Sequence, residues 1–291
     1  MFTLFATCFT GCAAHATTPA GTVEVPSGPS WSGSTLETRA GAVEFLTAAY
    51  GAEAMAPLMR LRAEPAPHSV KTDGFRIMSH PVTQADYQVF ASATGSPEPW
   101  IDPTRWAAQD TGFPYATAQR FMWVQGKPAP SRLHHPVVLV DHRDATRYCG
   151  WWGHRHDGLG ELPSEAQWNR AASGDTGTAF PWGDEHDTTR ANSWETGVGD
   201  TTPVGASPLD ASAFGVHDMA GNVFEWTRTP ADEGGSILKG GSWSTSLVQA
   251  RTAVRMPAPD DMRGTLHGLC DELVTPQQVY LCCFMCMYQR G

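Results

Sequence analysis

Positive charge is scarce in this chain. Lysine and arginine number 20 against 30 aspartates and glutamates, for a formal net charge of −10, and the basic residues nowhere cluster. Phosphate backbones are held by concentrated positive charge, so no nucleic-acid partner is expected. Long apolar runs are also missing. None reaches the roughly eighteen residues that a membrane-spanning helix needs. Cysteine is absent from most of the body of the chain. Of seven, Cys8 and Cys12 lie near the start, Cys270, Cys282, Cys283 and Cys286 lie in the last 22 residues, and only Cys149 lies between. A domain of this size with one internal cysteine is expected to be held by hydrophobic packing and not by a disulfide.

What is present suits one sizeable domain with extensions: 291 residues, of which 41% are hydrophobic and 17% charged. Glycine (29) and proline (22) are abundant, and tryptophan (11) outnumbers tyrosine (6). That mixture predicts short elements joined by long, well-packed loops, an α+β fold with much irregular structure.

Residues 1–14 are apolar or small and close on Gly11-Cys12-Ala13-Ala14. Such a stretch resembles a lipoprotein signal, with Cys12 as the lipid-modified residue and the Pro/Gly/Ser-rich stretch from His15 to Ser34 as tether. The first basic side chain is Arg39, so the usual positive segment before the apolar run is lacking. The expected location is the periplasm or cell envelope, anchored by lipid.

Leu36, Ala40, Val43, Leu46 and Tyr50 recur at helical spacing and predict a helix over 36–50. Pro65 and Pro67 then break the chain, which places a domain boundary near Val70. Residues 15–69 are read as tether and N-terminal helix, 70–270 as the main domain, and 271–291 as an atypical Cys-rich tail. Within the domain, Thr83 caps a helix that Gly95 closes. Ala145, Tyr148, Cys149 and Trp152 share one helical face. Ser164-Glu165-Ala166-Gln167 is a capping box opening a helix to about Ala172.

Separated motifs then occur in a telling order. They are Pro81-Val82-Thr83-Gln84-Ala85-Asp86-Tyr87 with Phe90, His135-Pro136-Val137-Val138, Leu162-Pro163-Ser164-Glu165-Ala166-Gln167-Trp168, and Phe180-Pro181-Trp182-Gly183. After these come Gly215-Val216-His217-Asp218-Met219-Ala220-Gly221-Asn222-Val223-Phe224-Glu225-Trp226 and Lys239-Gly240-Gly241-Ser242-Trp243, then Arg251 and Arg255. In this order they resemble the formylglycine-generating enzyme (sulfatase-modifying factor) family. The resemblance implies a fold related to C-type lectins, with little regular secondary structure and often bound calcium.

It also implies where calcium would sit. Carboxylates and the free carbonyls of irregular chain are what this ion coordinates. The family's pattern carries over to Asp218, Gly221, Val223 and Glu225, with a second site at Asn192 and, more loosely, Asp200. The alternative role for Asp218, Asn222 and Glu225 is to satisfy turn amides. Arg251 and Arg255, four residues apart, read as pairing with acids in the core or, alternatively, as lining the cleft, and Trp151, Trp168, Trp182, Trp226 and Trp243 as core.

The family's oxidation chemistry is another matter. Its enzymes hold copper on two cysteines five residues apart, after the Gly-Gly-Ser-aromatic motif, because thiolates suit soft Cu(I). Counted from Ser242 and Trp243, those positions are Thr245 and Ala250. Neither ligates Cu(I), so copper is not expected. A second branch, iron-dependent sulfoxide synthases, takes iron-binding histidines from an added helical domain. The segment 16–69 holds His68 but is too short for one, so iron is not expected either. His134-His135 and His154-Arg155-His156 read as loop histidines, and Cys283-x-x-Cys286 as a pair open to metal or redox chemistry. Two functions follow: a binding or accessory module for a protein or cell-envelope ligand, without formylglycine-forming activity, or a metal-dependent oxidoreductase of the wider superfamily.

Overall fold

The computed structural model describes residues 21–51, 64–109, 113–264, 282–283 and 285–290. Cys12, and with it the lipoprotein signal, lies outside the described residues, as does Cys270.

The strands are short. β1 (Thr22–Val25), β4 (Phe75–Met78), β5 (Gly158–Glu161) and β10 (Met287–Arg290) form one sheet in the order β1-β4-β10-β5. β2 (Gly28–Ser32) and β3 (His68–Thr72) pair as a two-stranded ribbon. β6 (Phe224–Pro230), β7 (Ser236–Lys239), β8 (Met256–Ala258) and β9 (Cys282–Cys283) form a second sheet in the order β8-β7-β6-β9, antiparallel except for β6 with β9.

The helices start where their caps dictate. α1 spans Leu36–Tyr50, with the Thr35 hydroxyl accepting from the Thr38 amide. α2 spans Gln84–Thr94, where Thr83 and Asp86 complete a capping box and Gly95 ends the helix in the left-handed region. Two short helices follow that the spacing analysis does not predict, α3 (Pro103–Ala108) and α4 (Tyr115–Gln119). α5 spans His142–Arg155 and buries Ala145, Tyr148 and Cys149; α6 spans Glu165–Ser173 behind the Ser164–Gln167 box. Asp141 caps α5 by accepting from the Asp144 amide, and His142 meets the Thr227 carbonyl (3.1 Å) beside Trp226, which accounts for this Asp-His pair at the helix start.

One large cluster joins most of these elements, with Ile77, Tyr87, Phe90, Tyr148, Trp168, Phe224 and Trp226 among its large members, while α1 packs in a smaller one with Val248. Of the five tryptophans expected inside, Trp168, Trp226 and Trp243 are buried, whereas Trp151 and Trp182 are half-buried.

Three expectations need correction. Sheet pairing crosses the boundary expected near Val70, because Val23 pairs with Ile77 and Pro29 with Lys71. Arg170 reinforces that union: its buried guanidinium donates to the carbonyls of Pro26 and Pro29 and pairs with Asp175 (2.6 Å). A side chain at Gly28 would run into it. The segment expected as an atypical Cys-rich tail is part of the fold where it is described, since β10 lies between β4 and β5, and Met285, Cys286 and Met287 are buried in the core. Lastly, Cys149 on α5 forms a disulfide with Cys286. Packing alone does not hold the domain, because the partner of the lone internal cysteine arrives from 137 residues away.

A cross-link closing so long a loop restricts the unfolded chain. Replacing Cys286 with Ser is expected to lower the free energy of unfolding by about 2–5 kcal/mol, measured by urea titration without reductant. Equal stability of the two proteins would remove the disulfide from the account.

Candidate functional site

Three loops converge beneath β6 and β7. The turn Asp218–Val223 runs into β6 with Asp218 and Asn222 at φ 58°, a left-handed conformation that Asp and Asn tolerate better than most residues. Gly221 sits against Asn192, whose carbonyl oxygen would lie 2.4 Å from any Cβ placed there. The Asn222 amide donates to that carbonyl (2.7 Å), the Gly221 amide to the Gly240 carbonyl (2.7 Å), and the Trp243 amide to the Asn222 carbonyl (3.0 Å). The proposed calcium segment and the loop after Gly240-Gly241 are therefore one hydrogen-bonded unit.

Glu225, on β6, is fully buried. Its Oε2 accepts from the Trp168 indole (2.7 Å), while Oε1 has no hydrogen-bond partner. Its cross-strand neighbour Lys239 does not neutralise it, because the ammonium donates to the carbonyls of Thr252 and Val254, at 2.7 Å each. Burial pushes the Glu225 carboxyl well above its usual range, and the charge of Asp218 adds to this. Asp218 is buried too. It accepts from the Gly205 amide (2.5 Å) and the Asn222 amide group (3.2 Å). Burial, helped by Asp210, pushes its carboxyl up to about 6. Asp210 is itself buried, holding the Asp218 amide (3.0 Å) and His217 Nδ1 (2.7 Å). Three acidic groups thus gather here, and burial raises the proton affinity of each.

Asn192 and Asp200, the other pair expected at calcium, lie in a different setting. Both Asp200 oxygens face Arg132 (3.0 and 2.6 Å), and Arg120 adds a contact at 2.8 Å, which together hold its carboxyl below the ordinary range although burial opposes this. The Asn192 side-chain amide donates to the Asp200 carbonyl (2.8 Å). Two guanidinium groups leave that carboxylate committed. Among the described residues, no group of three or more His, Cys, Asp or Glu is placed to hold a metal ion.

The loop that would carry copper in the family is closed. Thr245 is fully buried, its hydroxyl accepting from the Ser242 amide (2.9 Å) and donating to the Ser242 carbonyl (3.1 Å). Ala250 is buried against Gly241. Trp243 is buried with its indole nitrogen unpartnered. Arg251 is buried and paired with Glu64, while Arg255 lies at the edge and meets Glu165 (2.9 Å), so both arginines form the ion pairs expected of them. His135 meets the Thr201 hydroxyl and His156 the Trp152 carbonyl, each within its own surroundings and not as a chelating pair.

Glu195 closes the loop from outside, a role that spacing did not disclose. Its carboxylate accepts from Ser193 (2.7 Å), Ser246 (2.6 Å), the Leu247 amide (3.0 Å) and Tyr50 of α1 (2.8 Å). No sequence motif links a residue in an irregular loop to the end of a helix 145 positions earlier. Asp210 and His217 were missed for the same reason, since only the turn between them brings them together.

Comparison with known proteins shows the family. A family model described as "Sulfatase-modifying factor enzyme 1-like domain" matches residues 12–269. The chain is 33% identical over 213 residues to a formylglycine-generating enzyme of Mycobacterium tuberculosis, covering 58% of this chain and 69% of that protein. It is also 33% identical over 176 residues to the bovine (Bos taurus) "Inactive C-alpha-formylglycine-generating enzyme 2", covering 52% of this chain and 56% of that one. A hercynine oxygenase of Mycolicibacterium smegmatis is 29% identical over 241 residues, with 70% of this chain and 54% of the relative covered. The chain thus spans only about half the length of the last two. Among solved structures, PvdO of Pseudomonas aeruginosa shares the fold at a TM-score of 0.63 and 20% identity, covering 92% of this chain and 94% of its own. The chain belongs to the sulfatase-modifying factor (formylglycine-generating enzyme) family, and its fold is that family's.

Proposed function

We propose that this protein is a calcium-stabilised binding or accessory module that does not convert cysteine to formylglycine. The observation that carries the reading is the pair Thr245 and Ala250, buried, sulfur-free and sealed under Glu195 where the family's copper ligands would stand. A buried hydroxyl and a methyl group cannot bind a soft metal or exchange disulfides. The bovine relative named as inactive supports this reading. Calcium would be held by Asp218 and Glu225 with the backbone oxygens of Gly221 and Val223. It would supply the positive charge that the orphaned Glu225 oxygen calls for, a structural service to the loop junction. The ligand is a protein or cell-envelope component, and lipidation at Cys12 would tether the module to a membrane, in the periplasm or cell envelope.

The likeness to hercynine oxygenases supports a second reading, an oxidoreductase of the wider superfamily acting through iron or copper. Elemental analysis of the full chain separates the two. Calcium without stoichiometric redox metal is expected, and iron or copper near one per chain would overturn the module reading. With a cysteine-containing sulfatase peptide, Cu(I) and oxygen, no aldehyde is expected by mass spectrometry; turnover would refute the proposal.

Calcium binding has a pH signature. Asp218 and Glu225 hold their protons more tightly in the native state than in the unfolded chain, so without calcium they reduce stability as pH rises. For Asp218 the loss spans its ordinary value of 3.8 to about 6. Calcium competes with those protons, so the rise in Tm that it causes should be small near pH 4 and grow through pH 6. Glu225→Gln, which removes the charge and keeps an acceptor for Trp168, should abolish that rise. A rise independent of pH, or intact in this variant, would place calcium elsewhere.

A further inference from the structure

The closed loop owes part of its cover to α1. Ala42 and Leu46 of this helix pack on Val248 in the turn Leu247–Ala250, with Phe45 and Tyr50 at the margin. Leu46 apart, the buried side chains are small, and Leu36 remains 81% exposed. The hydroxyl of Tyr50 adds its bond to Glu195 at one end of the helix. At the other, Arg39 donates to the Ser34 and Glu64 carbonyls. Gly41 lies in the middle, where glycine weakens a helix by about 1 kcal/mol relative to alanine. This is a thin attachment for a fifteen-residue helix.

An imidazole lies in that attachment. The His186 ring stacks on Phe45 of α1 (centroids 5.3 Å apart, 23° between planes) and meets Phe180 edge-on (5.1 Å). Its Cε1 comes within 3.7 Å of where a side chain at Gly41 would begin, so the ring fills the space that the glycine leaves. Its Nε2 is buried and has no hydrogen-bond partner. We propose that α1 is a detachable cap over the loop Thr245–Ala250, released when the His186 imidazole held between cap and domain takes up a proton.

The charged surroundings favour release. A protonated ring would bury an N–H⁺ with no acceptor, which costs more than a neutral orphan. It would also sit in the field of the Arg251 guanidinium, itself paired with Glu64. Asp184, on the histidine's own loop, opposes this, but it is exposed and already accepts from the Ala179 amide. The carboxylates of α1 itself, Glu37 and Glu44, are exposed. Burial first, and Arg251 second, lower the basicity of the docked ring from its ordinary 6.5. Docking is therefore complete above that value and weakens as pH falls through the lowered one. The step needs only a proton, and it holds whether the exposed loop binds a ligand or supports chemistry.

Hydrogen exchange on the full chain, corrected for intrinsic rates, tests it at pH 7.5 and pH 5. Amides of α1 and of Thr245–Ala250 should exchange at least severalfold faster at the lower pH, while those of β6 and β7 keep their protection. In His186→Phe, which stacks but cannot be protonated, the difference should vanish. Phe45→Ala should expose the same amides at both pH values. Unchanged protection in the natural protein would overturn the proposal. So would a pH effect that persists undiminished in His186→Phe, or in His186→Gln should the first variant fail to fold.

Discussion

Because Gly221 carries no Cβ, the Asn192 backbone can lie directly against the turn that leads into β6. From that contact the rest of the site is assembled. The amides of Gly221, Asn222 and Trp243 each find a carbonyl on a neighbouring loop, so three segments with little regular structure satisfy one another's backbone. A larger residue at 221 would separate them. The left-handed turn also sends Glu225 inward on β6 while Asp218 stays behind it, which creates the pair of buried acids.

Charge in this interior is handled one group at a time. Arg170 is neutralised by carbonyls and Asp175, Arg251 by Glu64, and Asp200 by two arginines. Lys239, whose ammonium burial lowers to about 8, rests on two carbonyls over the Trp168 ring and near Glu165. Glu225 and Asp218 have no cationic partner among the described residues, and Glu225 keeps one oxygen bound and one bare. An uncompensated ion in a dry core is costly. Glu225 meets that cost by keeping its proton, burial pushing its carboxyl well above the usual range.

The parts legible beforehand were local. Thr83 and Ser164 start helices by accepting from amides three residues on, and Gly95 ends one by entering the left-handed region; each needs only a few neighbours. The ordered motifs from Pro81 to Arg255 likewise carried the family, and with it the vacancy of sulfur at Thr245 and Ala250. Illegible were the strands at both ends. β1 has four residues and β2 contains glycine and proline, so their alternation is too short to stand out from a tether. β10 is recognisable only once β4 and β5 leave a gap for it.

By itself, then, the sequence determined the family, the sulfur-free residues Thr245 and Ala250 in its motif, and the turns the chain makes, because side-chain identity and short-range capping do not depend on distant partners. Tertiary structure alone decided that Cys149 meets Cys286, that Asp200 belongs to arginines, that Glu225 is left with a bare oxygen, and that α1 covers the degenerate loop. Each of these is a meeting of segments far apart in the chain, and whether a charge is paired, a thiol cross-linked or a loop covered depends on what the fold brings beside it.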